Sequence, residues 1–314
     1  MVRRHLLYLR LLLLLPAAIA LVGAHAQDEA FTELLAKASE GDVDSQFSLA
    51  IAYENGKQTG IDLEQAAYWY RQAAEQGHDK AQNNLGYMYE HGKGVTAFAE
   101  RAKYWYERSA RQGNGIPAYN LANLLRKHPE LQSDPNEPLR WYESAAELGV
   151  SQAYVQLGMM YSSGEEGVTR DDAAARLWYK QAVELGNTTA MYNLGVLYDY
   201  GSEAAGTDYE QAAVYYALAA TRGHAAAQNN LGLLYLDGKV GGRADLWEAY
   251  LWLRNSQLNG YEQAGDSIAK IEQRLTFKEK ESADTAATRR YEIIKASPGI
   301  DMQKIIASTG ETSR

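Results

Sequence analysis

Residues 81–113 read AQNNLGYMYEHGKGVTAFAERAKYWYERSARQG, and this stretch decides the fold. Its first half places Ala81, Leu85 and Met88–Tyr89 at i, i+4 and i+7/i+8, the apolar spacing of one helix face. Gly92-Lys93-Gly94 then stops that helix, because glycine enters the left-handed conformation of a helix terminus without a steric cost. Ala102, Trp105–Tyr106, Ser109 and Ala110 return to helical spacing, and Gly113 ends the second helix in the same way. The stretch is therefore a helix–loop–helix hairpin. Gly86 lies inside the first helix, where glycine costs about 1 kcal/mol against alanine. Its presence predicts that a neighbour approaches where the side chain would be.

The hairpin recurs. The leucine of the Leu-Gly pair falls at Leu49, Leu85, Leu121, Leu157, Leu194 and Leu231, in steps of 36, 36, 36, 37 and 37. The closing glycine falls at Gly41, Gly77, Gly113, Gly149, Gly186, Gly223 and Gly260, and the helix-interior glycine returns as Gly158, Gly195 and Gly232. An aromatic pair keeps the same register at Trp69-Tyr70, Trp105-Tyr106, Trp141-Tyr142, Trp178-Tyr179 and Tyr215-Tyr216, with Trp252-Leu253 last. A fixed period of this length is the signature of a stacked array. A lone helical hairpin cannot bury both its faces, so neighbours must stack into a solenoid.

The combined pattern, A-x3-LG-x2-Y-x2-G-x-GV followed by A-x2-WY-x2-AA-x2-G, resembles the Sel1-like repeat family, a relative of the tetratricopeptide repeat. The resemblance covers about Val43–Gly260 and is met best by the quoted stretch, with Ser109 for the first alanine of the pair. The third unit departs, with Ala122 for glycine, Leu125 for tyrosine, His128 for the loop glycine and a proline-rich loop, HPELQSDPNEP. The fifth has Tyr215 for tryptophan, and the sixth has Leu253 and Ser256-Gln257. The resemblance implies an all-α protein, an α/α right-handed superhelical solenoid of tetratricopeptide-like hairpins. The expected order is a signal peptide at 1–26, a capping helix at 27–42, and repeats at 43–78, 79–114, 115–150 (irregular), 151–187, 188–224 and 225–260. Capping helices at 261–296 and a tail at 297–314, mobile or at most a short terminal helix, follow. Thr276-Phe277-Lys278-Glu279 has the form of a capping box opening the last helix.

The first residues have the three parts of a secretory signal: basic Arg3, Arg4 and Arg10, an apolar run Leu11–Leu21, and Ala24-His25-Ala26 as a cleavage site. The apolar run is shorter than the ~20 residues a spanning helix needs. A periplasmic or secreted chain starting at Gln27 is expected, with an uncleaved anchor as the alternative. The chain has no cysteine, so no disulfide supports it. Its net charge of −9 becomes −12 once residues 1–26, which hold three arginines and no acid, are removed. Such a surface disfavours nucleic acid and anionic lipid as partners.

No catalytic constellation stands out. His78 and His224 share one repeat position directly after a closing glycine, as turn residues do, and neither His91 nor His128 has a second ligand at i+3 or i+4. Gly92-Lys93-Gly94 and Gly238-Lys239 lack phosphate-loop spacing. No metal or cofactor is expected. The tetratricopeptide register implies a concave face lined two residues before and after each Leu-Gly leucine. The first set is Phe47, Asn83, Tyr119, Val155, Tyr192 and Asn229; the second is Ile51, Tyr87, Asn123, Met159, Val196 and Leu233. Asparagine can pair with a peptide backbone and tyrosine offers rigid contact area, so a protein or peptide partner suits this face. The competing reading is that these residues pack against the next repeat. Arg126 and Lys127 add a basic spot that either pins an acidic partner group or complements the end of its own helix. The resemblance implies a non-catalytic scaffold in cell-envelope assembly, exopolysaccharide export or signalling regulation. A peptidoglycan- or β-lactam-directed hydrolase and a secreted effector that binds a host protein are the alternatives.

Overall fold

A computed structural model of the chain describes residues 29–56, 59–165, 167–201, 206–302 and 304. The expected signal peptide lies outside them. Among the described residues the regular elements are helices: α1 (29–39), α2 (Val43–Asn55), α3 (Leu63–Glu75), α4 (Asp79–His91), α5 (Ala99–Ala110), α6 (Gly115–Lys127), α7 (Glu137–Glu147), α8 (Ser151–Ser163), α9 (Asp172–Glu184), α10 (Thr188–Tyr200), α11 (Tyr209–Ala220), α12 (Ala225–Leu236), α13 (Leu246–Leu258), α14 (Ala264–Glu272) and α15 (Phe277–Ala296). They form two compact units, Met1–Val150 and Ser151–Arg314. The first holds α1 and the hairpins α2/α3, α4/α5 and α6/α7. The second holds α8/α9, α10/α11 and α12/α13, then α14 and α15. Each hairpin coincides with one period of the sequence markers.

The helix-interior glycines are explained by the ring across the hairpin. A Cβ on Gly86 would lie 2.8 Å from the ring of Tyr106, and one on Gly195 would lie 2.6 Å from that of Tyr216. At Gly158 the clash with Tyr179 is closest, 2.5 Å, and at Gly232 the neighbour is Leu253 at 2.8 Å. The aromatic pair and the Leu-Gly pair are thus one packing device: the glycine leaves a hollow and the second aromatic fills it. Gly158→Ala should therefore destabilise the second unit by about 1–2 kcal/mol, since overpacking outweighs alanine's better helix propensity. A rise in the urea midpoint for this variant would contradict the argument. In the loop, Gly94 has φ +65° and its Cβ would sit 1.9 Å from the Leu63 carbonyl oxygen, so the chain crosses the start of α3 where no side chain fits.

Buried glutamines join successive hairpins. The Gln46 amide donates to the Ala38 carbonyl at 3.1 Å, and Gln76 donates to both the Gly41 carbonyl (3.1 Å) and Gln46 Oε1 (2.9 Å). One period later Gln82 donates to Ala74 O (3.0 Å), and Gln112 to Gly77 O (3.1 Å) and Gln82 Oε1 (2.8 Å). In the second unit Gln228 bonds Ala220 O at 3.0 Å and Asn259 bonds Gln228 Oε1 at 2.8 Å. These side chains satisfy carbonyls left over at the ends of the preceding helices. The serines that replace alanine instead reach the first turn of the partner helix: Ser109 donates to Asp79 O (2.8 Å) and Ser256 to Ala225 O (2.7 Å).

The irregular third loop is a built structure. Pro129–Leu131 forms a 3-10 turn. Lys103 of α5 donates to the Leu131 carbonyl at 2.6 Å and lies 3.3 Å from the Glu137 carboxylate, which also accepts the Ser133 amide. Arg140 clasps Asp134 through two bonds, 3.0 and 2.6 Å, and holds that carboxyl down to about 2.

α15 covers α13. Arg290, fully buried, meets the Glu248 carboxylate through two bonds of 2.9 and 3.0 Å and lies over the Trp252 ring at 4.9 Å. Asn255 donates to the Ala287 carbonyl at 3.0 Å. The capping box at Thr276 and Glu279 is present. The first part of the segment after residue 297 meets the second unit. Gly299 donates to the Thr221 carbonyl at 2.6 Å, and Ile300 and Met302 pack on the core of the second unit, because two apolar side chains there find an uncovered helix end. Residues 303 and 305–314 lie outside the described residues.

Candidate partner-binding face

The residues expected to meet a partner lie on the first helix of each hairpin. In the first unit Phe47 is half-buried, its ring 4.3 Å from the His78 imidazole and 5.8 Å from Tyr70. Asn83 is half-buried; its Oδ1 accepts from Asn120 at 3.0 Å and its amide donates to Asn84 at 3.2 Å. Tyr87 is exposed, with the His91 ring tilted against it 4.1 Å away and the Lys93 ammonium 4.8 Å above the ring. Tyr119 is half-buried beside Tyr142 at 5.8 Å. Asn123 Oδ1 accepts from the Tyr142 hydroxyl at 2.6 Å. Arg126 is half-buried and Lys127 exposed, both in the last turn of α6.

In the second unit Met159 is exposed and Tyr192 half-buried, the latter stacked on His224 at 4.6 Å and 6.0 Å from Tyr216. Two positions lie deeper than the rest: Asn229 is only 7% exposed and its amide donates to Asn230, and Val155 is 6% exposed, as the packing reading of this set has it. Ile51, Val196 and Leu233 are half-buried. The most accessible of these residues are Tyr87 in the first unit and Met159 in the second.

A polar relay beneath this face escaped the sequence reading. The Tyr70 hydroxyl donates to Glu54 at 2.6 Å, Tyr106 to Glu90 at 2.8 Å and Tyr216 to Asp199 at 3.1 Å. Asn230 of the next repeat donates back to Tyr216 at 3.1 Å. Burial first, and then the carboxylate, pushes each of these phenols well above the ordinary tyrosine range, so they remain neutral donors. The signal was present: Glu54, Glu90 and Asp199 share one repeat position, and Asn84, Asn120, Gln156, Asn193 and Asn230 share another. Arg126 occupies the carboxylate position in the third repeat, so Tyr142 turns to Asn123 instead.

The paired histidines are helix caps. His78 Nδ1 accepts the Ala81 amide at 3.1 Å and His224 Nδ1 the Ala227 amide at 3.2 Å. Burial lowers the His224 pKa. Asn114 and Asn187 cap α6 and α10 from the same repeat position. Among the described residues no group of three or more His, Asp or Glu side chains could hold a metal ion.

Six stretches, residues 43–78, 79–114, 118–150, 151–187, 188–224 and 225–256, match the Sel1 repeat. A Sel1 repeat protein from Oxalobacter formigenes is 30% identical, with a TM-score of 0.61 over 76% of this chain and 97% of that one. The protein c5321, a protective antigen present in uropathogenic Escherichia coli strains and displaying an SLR fold, is 26% identical, with a TM-score of 0.51 over 93% of this chain and 71% of that one. No curated protein matches the chain.

Proposed function

The chain belongs to the Sel1 repeat family, whose members are generally protein-interaction scaffolds, and from that premise we propose that it is a non-catalytic adaptor that holds a protein or peptide on its first-helix face. The observation that carries the reading is the exposed Tyr87 beside half-buried Asn83 and Tyr119 on adjacent first helices of one unit. Aromatic anchors flanked by amides suit a peptide that must be gripped by its backbone as well as its side chains. The signal-like residues 1–26 support a periplasmic or secreted location, and with it a role in envelope complex assembly, exopolysaccharide export or the regulation of a sensor. Among the described residues no helix is long and apolar enough to cross a membrane. A second reading, a secreted effector that binds a host protein, is favoured by the similarity to a protective antigen.

The test is affinity capture from periplasmic extract with residues 27–314, beside a variant carrying Asn83→Ala, Tyr87→Ala and Tyr119→Ala. The expected result is a partner retained by the first and held at least about tenfold more weakly by the second, with unchanged helicity. Equal retention by both would move the interface off this face.

A further inference from the structure

His224 is placed differently from the asparagines that cap α6 and α10. Its Nδ1 must carry a lone pair to accept the Ala227 amide, so the cap exists only while the ring is neutral. The same ring stacks on Tyr192 of α10, one of the residues of the candidate face. Protonation would therefore remove the cap, place a positive charge at the positive end of the α12 dipole, and charge a ring that is partly buried against a phenol.

Among the described residues no carboxylate lies within ion-pair distance of the His224 ring. The first turn of α12 contains no acidic residue. On the α11 side the nearest charged residue in sequence is Arg222, whose guanidinium donates to the Leu218 carbonyl at 2.8 Å and packs against Gly299. The α10 side presents Tyr192, with Tyr261 in its neighbourhood. His78 is the internal contrast. Its ring has the Asp44 carboxylate of α2 at 3.8 Å and the Asp79 carboxylate of α4 at 3.9 Å, so an imidazolium there meets two negative charges. The repeat positions of Asp44 and Asp79 are held by Thr189 and Ala225 at the His224 junction.

We propose that His224 is an acid-sensitive latch: its protonation releases the start of α12 from α10 and disturbs Tyr192, so that mild acid regulates the partner-binding face of the second unit. The regulatory half rests on the binding function proposed above; the latch itself does not. The direction follows from linkage. A histidine held neutral by the fold binds fewer protons than the unfolded chain, so its contribution is complete above pH 6.5 and is lost as pH falls below it.

The experiment follows protection of the Ala227 amide, corrected for intrinsic exchange, in the full chain between pH 7.5 and 5.0. It uses wild type, His224→Asn and His78→Asn. Asparagine is the natural cap at Asn114 and Asn187, so His224→Asn keeps the bond and removes the titration. The expected result is that wild type loses protection by up to about tenfold per pH unit below 6.5 relative to His224→Asn, and that His78→Asn behaves as wild type. Identical pH profiles for wild type and His224→Asn would overturn the proposal, as would a profile flattened equally by His78→Asn. If His224→Asn does not fold, His224→Ser offers the same comparison with a different cap. Because this measurement uses the chain alone, it stands or falls separately from partner capture at pH 7.5.

Discussion

Glu248→Ala lowers the stability of the second unit by about 3–5 kcal/mol, the cost typical of removing one member of a buried ion pair. Arg290 is fully buried and makes two bonds to the Glu248 carboxylate. Without the carboxylate the guanidinium loses both bonds to α13 while it still lies over the Trp252 ring, and the favourable response is to move it out, taking α15 with it. The loss should appear as a lowered urea midpoint and as new exchange in Asn255 and Ala287, which join the same two helices. Replacing both members together, Glu248→Leu with Arg290→Met, should recover much of the loss, since a well-packed apolar pair is often as stable as a buried ionic one. A midpoint that does not move in Glu248→Ala would mean that α15 is held elsewhere.

Tyr106→Ala costs about 3–5 kcal/mol in the first unit, and Tyr106→Phe costs about 1.5–3 kcal/mol. The ring is fully buried over Gly86, and neither glycine nor alanine can fill the hollow once the ring is gone. The phenylalanine variant keeps the packing and deletes only the 2.8 Å bond to Glu90. Tyr142→Phe is the control. Its hydroxyl meets a neutral amide, Asn123, so the loss should be nearer 1 kcal/mol. Equal losses for the two phenylalanine variants in urea denaturation would show that the carboxylate adds nothing to the bond.

Much of this architecture was legible because the period repeats its own evidence. Leu85, Gly86, Trp105, Tyr106 and Gly113 could each be read alone as core, breaker or turn, but their copies in register, six of the leucine and seven of the closing glycine, leave one reading. The role foreseen for Gly86 is found in the ring of Tyr106. The face was less legible. Asn83, Tyr119 and Asn229 look equivalent by register, yet Asn229 is buried while the other two are half-buried. Spacing assigns a residue to a side of its helix, whereas burial depends on the particular side chains that crowd it. The histidines show the same limit. Their position marked a turn, but only the coordinates reveal a ring nitrogen accepting a backbone amide and an aromatic stack behind it. The contacts of the tail were illegible for a third reason: Ile300 and Met302 are too few to announce a packed segment until Thr221 is seen beside them.

The glutamine bonds between hairpins have a consequence for how such a chain changes length. Gln46, Gln76 and the Gly41 carbonyl are reproduced 36 residues later by Gln82, Gln112 and Gly77, with the same donors on the same acceptors. Nothing in that joint refers to its place along the chain. A duplication of one 36-residue segment in register would arrive with both halves of its own seam, and a deletion of one would bring matching ends together. Copy number can therefore drift by recombination without any new contact having to evolve, and lineages that share this joint are free to differ in reach before they differ in specificity.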